Sequence, residues 1–342
     1  MGKKDFLLFN RSGSKMISIA LATYNGELYI SELLNSISGQ TTLPDELIIS
    51  DDSSTDSTLK IANEFARNVT FPVKILTNKD RLGSTGNFEI AIRACSGDII
   101  FPCDQDDIWY QHKIERMLEC LVNNPSAGAV FSDADVVDKE LNLLECSLWE
   151  RKRIKPQELS EINSSDRAFE MVVKRNIVTG TAMAFRAKYR ENIIPIPKEW
   201  GHDYWITQII SLSSKLIPLP IPLIAYRQHD SNQIGAPGTR RYGFIKASRH
   251  EGKNFHEIYD PKVKAFQKAL EFLIESSVSN TAKGKQRIAL VTDIIAFHRA
   301  RSLMPKSRWK RLPIIWQELT ALHYYRYKKT RHAIKDLVHR VD

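Results

Sequence analysis

Three carboxylates lie within four positions of the segment Cys103–Trp109, directly after the apolar run Asp98–Pro102. Clustered carboxylates raise one another's pKa, so such a group is unfavourable unless a cation neutralises it. The hard divalent cations Mg²⁺ and Mn²⁺ prefer oxygen ligands and are often held by one or two carboxylates together with substrate phosphates. The run therefore predicts a site for a metal-bridged phosphate ester, and a solvated acidic turn is the alternative.

Polar segments follow earlier apolar runs in the same way. The run Met16–Ala22 ends in Thr23–Gly26, and Glu46–Ser50 ends in Asp51–Asp56. A third apolar run covers Val73–Thr77. Each of these runs predicts a buried strand that opens into a loop.

Three segments between the predicted strands are predicted helices. They are Leu28–Ser38, the segment that follows Asp56 and ends at about Arg67, and Asn87–Cys95. This alternation predicts an α/β fold with a Rossmann-like, mostly parallel sheet, in which ligands bind beyond the carboxyl ends of the strands. The first strand is not followed by GxGxxG, which argues against a dinucleotide cofactor.

Further elements are predicted downstream. Gly128–Asp135 has the pattern of a strand, and Val178–Phe185 that of a small-residue strand lining a pocket. Trp200–Trp205 is expected to open a helix that runs through Leu212. The prolines of Pro218–Tyr226 predict an edge strand.

The composition, 42% hydrophobic and 26% charged residues in 342, is that of a soluble globular protein. The four cysteines lack metal-ligand spacing and are interpreted as reduced thiols of a cytoplasmic protein. No apolar run approaches the roughly 20 residues that cross a bilayer. Residues 1–15 are expected to form a flexible leader rather than a signal peptide.

Basic residues are concentrated at the C-terminal end. Residues 236–342 contain 23 of the 49 Lys and Arg and 9 of the 40 Asp and Glu, a net charge of +14, which leaves −5 for residues 1–235. This shift predicts a boundary near residue 236, between a domain over 16–235 and a basic helical region over 236–342.

The basic region mixes Lys and Arg with aromatic residues between Lys306 and Arg340. Five apolar residues fall on one side at helical spacing: Leu312, Ile315, Trp316, Leu319 and Leu322. A basic amphipathic helix of this kind suits an anionic membrane surface, which would make the protein peripheral on the inner face of the cell membrane. A helical cap on the catalytic domain is the equal alternative. Nucleic-acid binding is not expected, because no such module accompanies the charge.

Five segments together resemble glycosyltransferase family 2. Ile19–Gly26, Ile48–Asp56 and Cys103–Trp109 carry the resemblance, and Gly201–Trp205 and Tyr226–Asn232 resemble segments of bacterial rhamnosyltransferase-like members. The resemblance spans about residues 16–235. It implies the A-type nucleotide-sugar transferase fold and an inverting, metal-dependent transfer from a nucleotide-diphosphate sugar to a hydroxyl of a glycan.

The resemblance favours dTDP-rhamnose as the donor, with a UDP-hexose as the alternative. It implies a lipid-linked acceptor in the assembly of bacterial surface polysaccharide, O-antigen or capsule. It also implies nucleotide contacts for six residues: Thr23, Tyr24 and Asn25 at the base and ribose, Asp52 at the imide N–H of the base, and Arg81 and Asn87 nearby. For Arg81 a plain surface position is equally open.

The D-x-D element of the family matches Asp104 and Asp106. Asp104 would face the ribose and the cation, Asp106 would bind the Mg²⁺ or Mn²⁺ that bridges the phosphates, and Asp107 would support both. His229 is a candidate metal ligand, with a purely structural role as the alternative. Trp109 and Trp205 are expected to be pocket walls.

Asp203 is the candidate catalytic base, because inversion requires a carboxylate that removes a proton from the attacking hydroxyl. It is the only carboxylate between Glu199 and Asp230. A helix N-cap is the alternative role.

Two other functions stay open. A sugar-nucleotide nucleotidyltransferase also uses a Rossmann-like sheet and Mg²⁺, but it is expected to have a Gly-rich basic loop soon after the first strand. Here Thr23–Glu27 follows that strand, with no basic residue before Lys60. A non-catalytic sugar-binding module would tolerate Asp203→Ala.

Overall fold

The computed structural model describes residues 15–164, 168–198, 200–230, 232, 253–276, 279–327 and 330–339. Its strands are β1 Ile17–Thr23, β2 Glu46–Asp51, β3 Val73–Thr77, β4 Ile99–Asp104, β5 Ile108–Trp109, β6 Ala127–Val137, β7 Met183–Arg186 and β8 Lys215–Arg227. They form one sheet in the order β3-β2-β1-β4-β7-β6-β8-β5.

Nine α-helices are described up to residue 230: α1 Ile30–Ser38, α2 Thr58–Asn68, α3 Gly83–Ala94, α4 Lys113–Asn123, α5 Leu148–Arg151, α6 Pro156–Ser164, α7 Ala168–Lys174, α8 Arg190–Ile193 and α9 His202–Ser211. Five more are described beyond residue 252: α10 Phe255–Glu275, α11 Ala282–Ser302, α12 Arg308–Thr320, α13 His323–Tyr327 and α14 Arg331–Val338. The predicted domain boundary at 236 and residues 1–14 of the predicted leader lie outside the described residues.

The sheet is mostly parallel, as predicted. Strands β3, β2, β1 and β4 are parallel neighbours, and β6 is parallel to β8. Thr23 is aligned with Asp51, and Ala22 with Asp104. The carboxyl ends of three strands therefore meet at one edge, which brings the polar segments that follow them together.

Two predicted strands differ in the structure. Only the second half of Val178–Phe185 is a strand, antiparallel to both β4 and β6, because Gly180–Ala182 forms a 3₁₀ turn. A Cβ atom at Gly180 would lie 2.2 Å from Nε2 of His202, so this turn depends on glycine.

The second difference concerns β8, which is not the outermost strand. The two-residue strand β5 covers it at Ile224 and Ala225, so the edge prediction is wrong there. The proline-containing part before these residues pairs with β6 alone. The prolines thus lie where the strand has no second neighbour.

The C-terminal helices pack on the part of the chain that carries the sheet. The ring of Phe266 in α10 lies edge-on to Trp200, with centroids 5.2 Å apart, and Arg287 of α11 donates to the carbonyl of Leu212 at 2.6 Å. Within the helices, Asp336 accepts two hydrogen bonds from the buried guanidinium of Arg301, at 2.6 and 2.7 Å. Among the described residues, no helix is both long enough and apolar enough to span a bilayer.

Candidate active site

The ends of β1 and β2 are joined by polar side chains. Thr23 donates from Oγ1 to Oδ2 of Asp51 at 2.8 Å, and Asn87 donates from Nδ2 to the carbonyl of Thr23 at 2.9 Å. Thr23 and Asn87 are both buried. Thr23 and Asn87, which are both predicted to contact the nucleotide, therefore connect the ends of β1 and β2 to helix α3 at the edge of the site.

Asp52 lies at the same edge, and both of its carboxylate oxygens are engaged. Oδ1 accepts from the backbone N–H of Leu82 at 2.7 Å, and Oδ2 accepts from that of Gly83 at 2.8 Å. Asp52 is 2% exposed. In this conformation it anchors the start of α3.

Tyr24 and Arg81 form one wall beside this edge. The guanidinium carbon of Arg81 lies 3.9 Å from the centroid of the Tyr24 ring, which favours a cation–π contact. Asn25 is exposed, has a φ of 45°, and accepts from the backbone N–H of Thr55 at 2.9 Å. This wall offers an aromatic face and a positive charge to a bound group.

Gln105 connects the wall to the acidic loop. Its Oε1 accepts from the backbone N–H of Tyr24 at 2.8 Å, and its Nε2 donates to the carbonyl of Tyr24 at 2.9 Å. A Cβ atom at Gly26 would lie 2.3 Å from Oε1 of Gln105. The loops after β1 and β4 are thereby held against each other.

Asp104 ends β4 with a partly exposed carboxylate. No hydrogen bond to that carboxylate is found within the part of the chain that the structure describes. Burial, the negative charge of Asp106 and that of Asp203 raise the pKa of Asp104 to about 8. A carboxylate in this setting gains from any cation that approaches it.

Asp106 contacts the segment after β8. Its Oδ2 lies 2.9 Å from Nε2 of His229 and accepts from Nδ2 of Asn232 at 2.9 Å. The His229 ring packs on Tyr29 with centroids 4.5 Å apart. The ring of His229 thus lies beside the D-x-D element, with Nε2 facing the carboxylate of Asp106.

Arg227 fixes the backbone of the acidic loop. It is 2% exposed, donates from Nε to the carbonyl of Asp106 at 2.9 Å, and forms an ion pair with Glu32 through Nη2. Its backbone N–H donates to Oδ1 of Asp107 at 3.1 Å. Burial, and then the charges of Asp106 and Asp104, raise the pKa of Asp107 well above its usual range.

A buried lysine lies close to these carboxylates. Lys113 donates from Nζ to the carbonyl of Thr181 at 2.5 Å and lies 3.2 Å from the centroid of a Trp109 ring. Burial lowers the pKa of Lys113 to about 7, although the charges of Cys103, Asp107 and Asp104 act in the opposite direction. When protonated, Lys113 supplies positive charge from within the core.

Trp109 and Trp205 are buried core residues rather than pocket walls. Trp109 is 2% exposed and lies under Lys113. Trp205 is fully buried and donates from Nε1 to the carbonyl of Ile193 at 2.8 Å. Their expected role as pocket walls is wrong, because the strands and helices around them close over the rings.

Asp203 is the second residue of α9, and the N-cap of that helix is Gly201. Oδ2 of Asp203 accepts from Nδ2 of Asn176 at 2.9 Å, and Oδ1 accepts from the backbone N–H of Tyr204 at 2.7 Å. The preceding residue, His202, lies against Gly180, in a turn that also contacts β4. Because Gly201 holds the N-cap position, the N-cap alternative for Asp203 is wrong.

The side chains that could hold a divalent cation are Asp104 and Asp106, with His229 beside them. No group of three His, Cys, Asp or Glu residues arranged for a metal is found among the described residues. Two carboxylates nevertheless fit the usual pattern for Mg²⁺, in which substrate phosphates and water supply the other ligands.

Four residues of the site were not singled out from the sequence: Gln105, Lys113, Asn176 and Arg227. Gln105 and Arg227 lie inside motifs that resemble the family, so their position was visible although their contacts were not. Lys113 begins a helix four residues after the acidic segment, and Asn176 has no local signal. Their roles depend on contacts with residues that are distant in the sequence.

Several known proteins are similar to this chain. The family model described as "Glycosyl transferase family 2" matches residues 18–193, just over half of the chain. A protein of Shigella flexneri named "dTDP-rhamnosyl transferase RfbG" is 31% identical over 228 residues, which are 63% of this chain and 74% of the relative.

A shorter match, 34% identical over 109 residues, covers 32% of this chain and 42% of an Escherichia coli protein, "UDP-Glc:alpha-D-GlcNAc-diphosphoundecaprenol beta-1,3-glucosyltransferase WfgD". Among solved structures, S. aureus TarS 1-349 in complex with UDP is similar, with a TM-score of 0.55 and 14% identity, over 94% of this chain and 89% of that one. This likeness confirms the predicted A-type transferase fold. The chain belongs to glycosyltransferase family 2.

Proposed function

We propose that this glycosyltransferase is metal-dependent and inverting, and that it transfers rhamnose from dTDP-rhamnose to a hydroxyl of a lipid-linked glycan. The reaction would take place in the cytoplasm, at the inner face of the membrane, in the assembly of a surface polysaccharide such as O-antigen or capsule. A UDP-hexose is the alternative donor.

The observation that carries this proposal is the placement of two carboxylates, Asp104 at the end of β4 and Asp203 in the first turn of α9. Both elements contact the turn Gly180–Ala182, and His202, which precedes Asp203, lies against Gly180. A donor whose diphosphate lies at the acidic loop would therefore have its sugar close to Asp203. An inverting transfer needs this arrangement of leaving group and base.

Asp203 would act on the acceptor. Its carboxylate would accept the proton of the attacking hydroxyl as that oxygen forms a bond to C1 of the sugar and the bond from C1 to the diphosphate oxygen breaks. Asn176 holds Oδ2 at 2.9 Å, and the backbone of Tyr204 holds Oδ1 at 2.7 Å. The carboxylate is thereby kept in one orientation before the acceptor arrives.

On the donor side, Tyr24 and Arg81 would receive the base and ribose, with Asn25 at the rim and Thr23, Asn87 and Asp52 supporting them from beneath. Asp104 and Asp106 would hold Mg²⁺ or Mn²⁺, with His229 as a third candidate ligand. Bound there, the cation would supply Lewis-acid stabilisation of the charge on the departing diphosphate, typically worth several kcal/mol.

Two relatives support the choice of donor and acceptor. The Shigella protein carries dTDP-rhamnose in its name, and the E. coli protein names a diphosphoundecaprenol-linked sugar as acceptor. The segments around Asp203 and His229 also resemble rhamnosyltransferases. Because the E. coli relative uses UDP-Glc, the hexose donor stays the second candidate.

The test is a donor screen scored by release of nucleoside diphosphate, with and without Mg²⁺ or Mn²⁺, using lipid-linked acceptors and dTDP-rhamnose, UDP-glucose and UDP-GlcNAc as donors. We expect turnover with dTDP-rhamnose that chelation abolishes, and a product of inverted anomeric configuration by NMR. Undiminished turnover after chelation would overturn the metal assignment. Release of pyrophosphate instead would indicate a nucleotidyltransferase.

The base is tested by Asp203→Asn with Glu119→Gln as the matched control, since Glu119 is an exposed carboxylate on α4. We expect Asp203→Asn to lower kcat by about 10²- to 10⁴-fold with donor affinity retained, and Glu119→Gln to behave as wild type. Full turnover by Asp203→Asn would exclude this residue as the base.

A further inference from the structure

Helix α12 has two faces of opposite character. Arg311, Ile315 and Glu318 point into the protein and are each no more than 6% exposed. The other side carries Trp309, 81% exposed, and Trp316, 69% exposed. Large apolar side chains are thus presented to solvent while charged ones are buried.

The exposed side forms a continuous surface along the helix. Trp309, Leu312, Pro313 and Trp316, which we call the tryptophan face, fall within about 100° of arc at 3.6 residues per turn. All four are exposed. Large exposed apolar patches on soluble proteins commonly mark interaction sites.

The tryptophan face has basic residues on both flanks. Arg308 and Lys310 are exposed and project about 100° to either side of Trp309. No acidic residue occurs between Lys306 and Gln317, and residues 236–342 carry a net charge of +14. A partner that covers this face must therefore accept positive charge along its margins.

The face is also held in a fixed orientation from behind. The buried guanidinium of Arg311 donates from Nε to the carbonyl of Pro305 at 2.7 Å and from Nη2 to that of Lys306 at 2.6 Å. Its Nη1 donates to carbonyls at the end of α14, among them that of His339 at 2.7 Å. The indoles consequently project from a helix that cannot easily roll over to bury them.

We propose that the tryptophan face docks on an anionic phospholipid bilayer. Indole rings favour the boundary between headgroups and acyl chains, and basic residues beside them are attracted to anionic lipid. Two copies of this chain meeting through the face would bring their basic flanks together, which disfavours self-association. This inference goes beyond the proposed reaction and does not depend on its donor or its metal.

The arrangement of tryptophans gives a direct test on the full chain. The chain has six tryptophans, and the four outside α12, Trp109, Trp149, Trp200 and Trp205, are no more than 7% exposed. Intrinsic fluorescence that changes on contact with vesicles therefore reports on Trp309 and Trp316. We would titrate the protein with phosphatidylcholine vesicles with and without phosphatidylglycerol, and with brominated lipids as quenchers.

We expect a blue shift and quenching only with vesicles that contain phosphatidylglycerol, with binding that weakens as salt is added. Trp309→Ala/Trp316→Ala should weaken vesicle sedimentation at least about tenfold, and Arg308→Glu/Lys310→Glu by a similar factor. Leu143→Ala, at an apolar side chain 71% exposed elsewhere, should bind as wild type.

Equal vesicle binding by the double tryptophan variant, or no binding by the wild type, would overturn the proposal. If the wild type dimerises and the double tryptophan variant does not, the tryptophan face is instead an interface between two copies of this chain. Thermal melts check that each variant is folded. Turnover of a water-soluble acceptor should be unchanged in the double variant, so the outcome here is separable from failure of the proposed reaction.

Discussion

Asn176 donates a hydrogen bond from Nδ2 to Oδ2 of Asp203 at 2.9 Å, although Asn176 lies in the loop after α7, 27 positions before Asp203 in α9. Lys152 is half-buried nearby, donates to Oγ1 of Thr179 at 2.6 Å, and interacts electrostatically with Asp203. An uncharged donor and a positive charge thus support the carboxylate that we propose as the base.

Removing the Asn176 donor should therefore impair the reaction without removing the base. We expect Asn176→Ala to lower kcat about fivefold, because the carboxylate of Asp203 is held less firmly in one orientation. Asn176→Asp should lower kcat further, since it replaces the donor with a like charge. The matched control is Asn63→Ala, whose side chain donates to the carbonyl of Leu59 in its own helix. An unchanged kcat in both Asn176 variants would make the contact merely structural.

The contact between Gln105 and Tyr24 predicts a donor-binding defect. Loss of its two hydrogen bonds in Gln105→Ala should raise the KM for the donor about tenfold with a smaller effect on kcat, since the Tyr24 wall would no longer be held. Gly26→Ala should reproduce the effect by displacing Gln105, whereas Gly39→Ala has space for its methyl group. Steady-state kinetics with varied donor measure this. An unchanged KM in both Gln105→Ala and Gly26→Ala would exclude the wall from donor binding.

The parts of the site that could be predicted from sequence are those that depend on local order. Thr23, Asp52 and Asp104 each follow an apolar strand, and strands of the parallel part share one edge, so their meeting was predictable. The ion pair of Arg227 with Glu32 joins residues 195 positions apart. No periodicity encodes such a contact, because it depends on the sheet order.

In the C-terminal region, hydrophobic spacing also fails to predict which side of a helix is buried. The predicted apolar side of α12 is divided in the structure, with Ile315 in the core and Leu312 and Trp316 in solvent. The buried side includes Arg311 and Glu318, which are satisfied by backbone carbonyls and by His323. Hydrophobic spacing alone cannot identify a buried face that is partly built from paired charges.

Arg227 should be indispensable for the stability of the acidic loop. Arg227→Lys keeps the charge but loses the forked geometry that reaches Glu32, the carbonyl of Asp106 and that of Lys139. We expect the free energy of unfolding to fall by about 2 kcal/mol, because hydrogen bonds of a buried guanidinium to the carbonyls of Asp106 and Lys139 are lost. Urea denaturation measures this, with the exposed Arg116→Lys as control. A loss below about 1 kcal/mol would contradict the assignment.

The acidic loop should make stability depend on pH. In the absence of a divalent cation, the pKa of Asp104 is about 8, above the ordinary value of 3.8, so the folded state binds more protons than the unfolded chain between these values. Stability from this group is complete below about pH 4 and is lost as the pH rises toward 8.

We expect the free energy of unfolding of the wild type to decline relative to that of Asp104→Asn by about 2 kcal/mol between pH 5 and 8, a figure reduced because the carboxylate is partly exposed. The lowered pKa of Lys113 acts in the opposite direction, but only above about pH 7, and it is present in both proteins. Adding Mn²⁺ should restore wild-type stability most strongly at pH 8. The cation binds the deprotonated carboxylate of Asp104, which is more populated at pH 8 than at pH 5. If the free energy of unfolding depends on pH in the same way in wild type and Asp104→Asn, and Mn²⁺ changes neither, then Asp104 has no raised pKa and binds no cation.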